Sequence, residues 1–124
     1  MNTQYTLLIA DRNPNVRSFL RREMEGEGYR VVLAKNAVEV VQWAFRQGPL
    51  DLVILDPDLP DSSEMIVLEH LKDRIPAVQL IIHTFPSDDA SYEDFPNIAA
   101  FIEKRGNSIE LLKGAVRRIL SQQK

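Results

Sequence analysis

The sequence contains no cysteine, which excludes disulfides, thiolate catalysis and Cys-ligated zinc. Glycine is scarce, five in 124 residues, and none falls in the turn Asp11-Arg12-Asn13-Pro14-Asn15, so no glycine-rich phosphate cradle follows the first apolar run. Cations are in slight deficit, 15 Lys and Arg against 18 Asp and Glu for a formal charge of -3. No overall basic field is therefore available to hold nucleic acid by its phosphates. The pairs Arg21-Arg22 and Arg117-Arg118 read as solvated helix faces. No apolar stretch reaches transmembrane length, and MNTQYTLLIAD lacks the basic start and long apolar core of a signal peptide. These absences lead to the expectation of a soluble, cytoplasmic protein with no membrane and no direct nucleic-acid partner. The length favours one domain over residues 1–124, large enough to bury a core.

What is present is an alternation of short apolar runs with longer segments of helical period. TLLIA, YRVVLA, LDLVIL, VQLIIHT and AAFIEK read as five strands. Asn13-Pro14 predicts a helix N-cap followed by proline at the first helical position, with Val16, Phe19, Leu20 and Met24 on the inner face. Asn36 can cap a second helix carrying Val38, Val41, Ala44 and Phe45 inward. A third places Met65, Leu68 and Leu71 inward. The last, from about Ser108, places Ile109, Leu112, Ala115, Val116, Ile119 and Leu120 on one stripe. The segment Phe85 to Asn97 has two prolines, four acids and no apolar stripe, so its helix, the fourth in order, is expected to be short or irregular.

Crossovers of this length join parallel strands with helices on both faces of one sheet. Five strands and a first turn without glycine favour the flavodoxin-like α/β fold, order 2-1-3-4-5, over the six-stranded dinucleotide fold. In such sheets ligands collect at the carboxyl ends of the strands. There the first strand ends on Asp11, the third on Asp56, the fourth on Thr84 and the fifth on Lys104. Each alone is an ordinary turn or cap residue; together they bring two carboxylates, a hydroxyl and an ammonium to one edge.

LLIADRNPNVR, DLVILDPDLPD, the Thr84 after LII and the Lys104 in AAFIEKR resemble the receiver domain of two-component response regulators, over essentially the whole chain. The resemblance implies that Asp56 accepts a phosphoryl group from a histidine kinase or phosphotransfer protein. It implies that Thr84 and Lys104 contact that group, and that Phe101 stands where receivers carry a switch aromatic. It also implies Mg²⁺ held by acids near the acceptor, here Asp11 and Asp56, with the backbone carbonyl of Asp58 beside them, and an output domain, partner protein or second copy of the chain as the target. The implied activity is conformational signalling and not turnover.

The departures from the family are specific. Receivers usually carry two acids at the end of the first strand; here the second is Arg12, which cannot ligate a metal. A guanidinium ~5 Å from a divalent ion at an effective dielectric of ~20 costs several kcal/mol. The Asp-Gly usual after the acceptor is Ser63-Glu64, and the proline usual after the lysine is Arg105. Two arrangements follow. In the preferred one, Arg12 replaces the metal, forking onto Asp56 or Asp11, phosphorylation is weakened, and the chain works as a protein-interaction module. In the other, Asp58 supplies the missing carboxylate, Arg12 swings into solvent and Mg²⁺ binds.

Rivals from other classes fare worse. Asp56-Pro57-Asp58 resembles the Asp-x-Asp of haloacid dehalogenase-like phosphatases, but that motif follows the first strand and belongs to a larger chain. A flavin module would meet repulsion between Asp11 and the cofactor phosphate. His70 and His83 are expected to be structural, with His83, one residue before Thr84, facing away from the pocket. Asp88-Asp89 and Glu93-Asp94 are expected to be a solvated loop.

Overall fold

The computed structural model describes residues 4–46, 48–61, 64–74, 76–85 and 95–122, without the side chains of residues 64–66. In chain order the elements are β1 (Thr6–Ala10), α1 (Pro14–Gly26), β2 (Arg30–Ala34), α2 (Ala37–Phe45), β3 (Leu52–Leu55), α3 (Glu64–Lys72), β4 (Gln79–Thr84), β5 (Ile98–Glu103) and α4 (Ser108–Ser121). All neighbouring strands are parallel, in the order β2-β1-β3-β4-β5. This is the flavodoxin-like arrangement read from the sequence. The segment expected to hold an irregular extra helix lies largely outside the described residues, as do Asp88-Asp89 and Glu93-Asp94.

The central strands carry no alternation because both of their faces are covered. Every residue of β1 and β3 is buried, whereas the edge strand β5 alternates between half-buried and exposed. Side chains of opposite parity feed two separate cores. Leu8, Val53, Leu55, Leu80 and Ile82 pack beneath α2 and α3. Leu7, Ile9, Leu52, Ile54 and Ile81 pack beneath α1 and α4, together with half-buried Ala100 and Ile102. The second of these rows leads to the functional edge.

Helix faces show where sequence period alone was ambiguous. Asn13 caps α1, its Oδ1 accepting from the N–H groups of Asn15 at 2.8 Å and Val16 at 3.3 Å, with Pro14 opening the helix. Leu20 and Met24 are buried, but Phe19, expected inside, is 41% exposed and lies under the Arg22 guanidinium. Correction is larger in α2. Ala37, Val40 and Ala44 face the core, while Val38 and Phe45 lie outside. That helix is apolar at nearly every position, so two faces competed. The one with two alanines wins because it lets the helix approach the sheet closely. Asp61 then takes the N–H groups of Ala37 at 2.7 Å and Val38 at 3.2 Å, fixing the rotation. Leu68 and Leu71 of α3 and the expected stripe of α4 are inward, with Ile109 half-buried.

At the outer flank of the sheet, the Trp43 indole donates to the Leu33 carbonyl of edge strand β2 at 3.1 Å and stacks against Arg46. An otherwise open strand edge is thereby closed. Buried Arg74 donates to the carbonyls of Ala44 and Pro76, holding the end of α2. Among the described residues no helix is long and apolar enough to cross a membrane.

The Asn13 cap yields a direct test. Asn13→Ala should lower stability by about 1 kcal/mol in urea melts at unchanged slope. Asn15→Ala, at an exposed position two residues later, should change it by less than about 0.5 kcal/mol.

Candidate functional site

The hydrogen-bond ladder of the sheet continues past the last apolar residues and so places the polar ones. The Asp56 N–H donates to Ala10 O at 2.8 Å, the Asp11 N–H to Ala34 O at 3.2 Å, and the Lys104 N–H to Thr84 O at 2.8 Å. Their side chains therefore keep strand parity. Asp11 continues the row Leu7-Ile9, Asp56 continues Leu52-Ile54, and Lys104 continues Ala100-Ile102, all on the α1/α4 face.

The Lys104 ammonium sits between the two carboxylates, 2.9 Å from Asp11 Oδ2 and 3.5 Å from Asp56 Oδ2. Both aspartates are about 1% exposed, so neither charge is hydrated from outside. Main-chain donors complete their shells. Asn13 N–H donates to Asp11 Oδ1 at 2.9 Å, Asp58 N–H to Asp56 Oδ1 at 3.0 Å, and Arg12 N–H to Asp56 Oδ2 at 3.2 Å. Arg17 anchors the turn through the Asp11 carbonyl at 2.6 Å. Burial holds the Asp11 carboxyl above the ordinary aspartate range, against the Asn13 N–H and Lys104, which stabilise its charge, and with the nearby charge of Asp56 adding to the rise.

Arg12 reaches the same carboxylate without forking onto it. Its Nε lies 3.8 Å from Asp56 Oδ2, and its side chain is 49% exposed. Asp58 contributes its main-chain N–H, and the residue itself is exposed. Among the described residues no group of three His, Cys, Asp or Glu side chains is arranged to hold a metal ion. Thr84 ends β4 at this edge, opposite Glu103, and binds Lys104 through its carbonyl. Phe101 is 54% exposed on β5, pairing with Ile82. His70 lies exposed on α3, beside Val38 and Val41.

Two neighbours of the site were not anticipated. Phe85 places its ring 5.5 Å from the Lys104 ammonium. His83 was expected to face away from the site, and this is corrected. With Leu55 opposite Ile82, the register puts His83 beside Asp56, on the same face. The expectation took Thr84 as the reference for the pocket, whereas the row Ile54-Asp56 beside Ile81-His83 sets the parity. The imidazole is 3% exposed. Burial, reinforced by Lys104 and opposed by Asp56, pushes its pKa down to about 4.

That shift has a sign in stability. The unfolded chain takes up a proton near pH 6.5 that the folded imidazole refuses until about 4. His83 therefore costs the fold stability as pH falls through that window, by at most about 3 kcal/mol, and nothing above it. Urea midpoints measured from pH 7 to 4.5 should fall more steeply for the native chain than for His83→Gln.

The model of the response regulator receiver domain matches residues 7–115. The DNA-binding transcriptional regulator NtrC of Bradyrhizobium sp. (strain RP501 Parasponia) is 32% identical over 100 residues, 73% of this chain and 21% of NtrC. The chain thus spans about a fifth of that relative's length. The response regulator TrrA of Thermotoga maritima, crystallised with Mg²⁺ and BeF, superposes at a TM-score of 0.77 with 28% identity, covering 94% of this chain and 99% of TrrA. A signal receiver domain of a LuxO repressor protein from Vibrio parahaemolyticus gives 0.83 at 24% identity over 97% and 92% of the two chains, a likeness of fold. Sequence motifs, sheet order and family match therefore agree that the chain belongs to the receiver domains of two-component response regulators.

Proposed function

We propose that this receiver carries its phosphoryl-acceptor position at Asp56 and holds the surrounding charge with its own cations in place of Mg²⁺, so that metal-dependent phosphorylation is weak. The observation that carries the reading is the Lys104 ammonium lying against both Asp11 and Asp56 while Arg12 lies beside the same Asp56 oxygen. Residues 1–124 are read as one receiver unit, which the match over residues 7–115 supports.

A divalent cation fits this residue set poorly. Two carboxylates are already balanced by two cations, and the place of a third acid next to Asp11 holds a guanidinium. Asp58, the other candidate ligand, points its main-chain N–H at Asp56 and is itself exposed.

The two oxygens of Asp56 differ. Oδ2 faces Lys104, Arg12 Nε and the Arg12 N–H, whereas Oδ1 accepts from the Asp58 N–H. Oδ1 is thus the better nucleophile on phosphorus. In transfer from a partner's phosphohistidine, the new O–P bond forms as the P–N bond breaks, and the imidazole leaves with a proton from solvent. Lys104 and Arg12 then neutralise the transferred oxygens, the main requirement of such a transfer. Since Asp56 is about 1% exposed, half-exposed Arg12 is the side chain that must move to admit a donor. The consequence is a change of conformational balance read by a partner or output segment, with no substrate turned over. TrrA has also been crystallised with the histidine kinase ThkA. That complex supports a histidine kinase as donor.

The test is acetyl phosphate with a Mg²⁺ titration to tens of millimolar, scored as Asp56 modification by intact mass. The native chain should label slowly with little metal dependence, and Arg12→Asp should restore a saturable, Mg²⁺-dependent rate at least about tenfold faster, equivalent to about 1.4 kcal/mol. Native labelling that already saturates at millimolar Mg²⁺ and matches Arg12→Asp would overturn the reading.

A further inference from the structure

Among the described residues, His83 is the buried polar side chain at this edge that takes no part in holding the charge at Asp56. It is 3% exposed, and it continues the row of Ile81 next to the row ending in Asp56. Its Nε2 is 3.4 Å from Ser108 Oγ, a long hydrogen bond, and its Nδ1 has no partner among the described residues. An imidazole in this position is an expensive choice. Burying a ring nitrogen without a partner loses its hydration, and an aliphatic side chain in line with Ile81 would avoid that loss. Departures from apolar packing that bring no local gain are characteristic of functional positions.

Ser108 gives the ring a purpose. It is the first residue of α4, where Asn107 makes no side-chain cap, and its N–H donates back to Arg105 O at 2.9 Å. The loop between Lys104 and Ser108 is thus short and closed on itself. One of its ends carries the ammonium that lies on Asp11 and Asp56, and the other touches His83. The contact with Ser108 adds a second tie between β4 and the loop that begins at Lys104, whose N–H already bonds the Thr84 carbonyl.

We propose that His83 is a positioning residue: through Ser108 it holds the Lys104 loop and the start of α4 in register with Asp56, so that a change of charge at Asp56 is felt by α4. The second half of this statement rests on Asp56 being the reacting position. The first half does not, and the experiment addresses it without any phosphodonor.

Native-state hydrogen exchange and thermal melts at pH 7 would compare the native chain with His83→Val, His83→Gln, Ser108→Ala and the Val/Ala double variant. His83→Val should raise the midpoint by roughly 3 °C, yet speed amide exchange from Lys104 to Leu112 by about tenfold and leave the strand amides protected. His83→Gln, which can still reach the Ser108 hydroxyl, should restore slow exchange. Ser108→Ala should reproduce the valine effect, and the double variant should add nothing to it. Unchanged exchange in His83→Val, a lowered midpoint, no rescue by Gln, or additive effects in the double variant would each overturn the proposal. None of these outcomes depends on whether Asp56 is ever phosphorylated, so the two readings fail separately.

Discussion

One ammonium shared between two buried carboxylates organises the functional edge of this protein. Asp11 and Asp56 end adjacent strands and project from the same face, where neither is hydrated from outside. Without a cation between them, one would have to take up a proton or the strands would have to part. Lys104 supplies that cation from β5, and its own position follows from the ladder bond to Thr84 that continues β4–β5 pairing. Sheet order thus matters electrostatically: with β5 beside β4 and β4 beside β3, the lysine of one edge reaches the acids that follow β1 and β3.

Much of this was legible in the sequence, for reasons that can be traced to residues. The apolar runs of β1 and β3 mark doubly covered strands, and a polar residue that ends such a run has only the sheet edge to go to. Asp11, Asp56, Thr84 and Lys104 could therefore be assigned to one edge before any coordinates. What was not legible depended on choices between nearly equal faces. In α2, valines and alanines compete for the inner side, and the outcome turns on Asp61, which binds the helix start from far along the chain. Phe19 lies outside because an exposed ring can rest under Arg22. His83 was misplaced by counting from Thr84, when counting from Asp56 through the paired row gives the observed side.

Arg12 meets Asp56 twice, once through its main chain and once through its side chain. Its main-chain N–H still serves Asp56, as any residue in that turn could. Its guanidinium stays half in water, 3.8 Å from the carboxylate, which places positive charge at the mouth and not in the floor of the site. Arg12 therefore acts on whatever approaches more than on the resting balance, which Lys104 maintains. The turn is held from below by Arg17 on the Asp11 carbonyl and by the Asn13 cap, so the first helix and the site share one short segment of backbone.

The chain's single tryptophan sits far from all of this, at the outer flank of β2, where it lines a cavity of about 300 Å³ with Arg30, Arg46 and Pro49. Its indole is tied to the Leu33 carbonyl and covered by a guanidinium. Intrinsic fluorescence of this protein is consequently a gauge of how β2 and α2 are seated. Because β1 and β2 stand between Asp56 and the indole, a change in emission on adding a ligand at Asp56 would mean that the disturbance had crossed two strands.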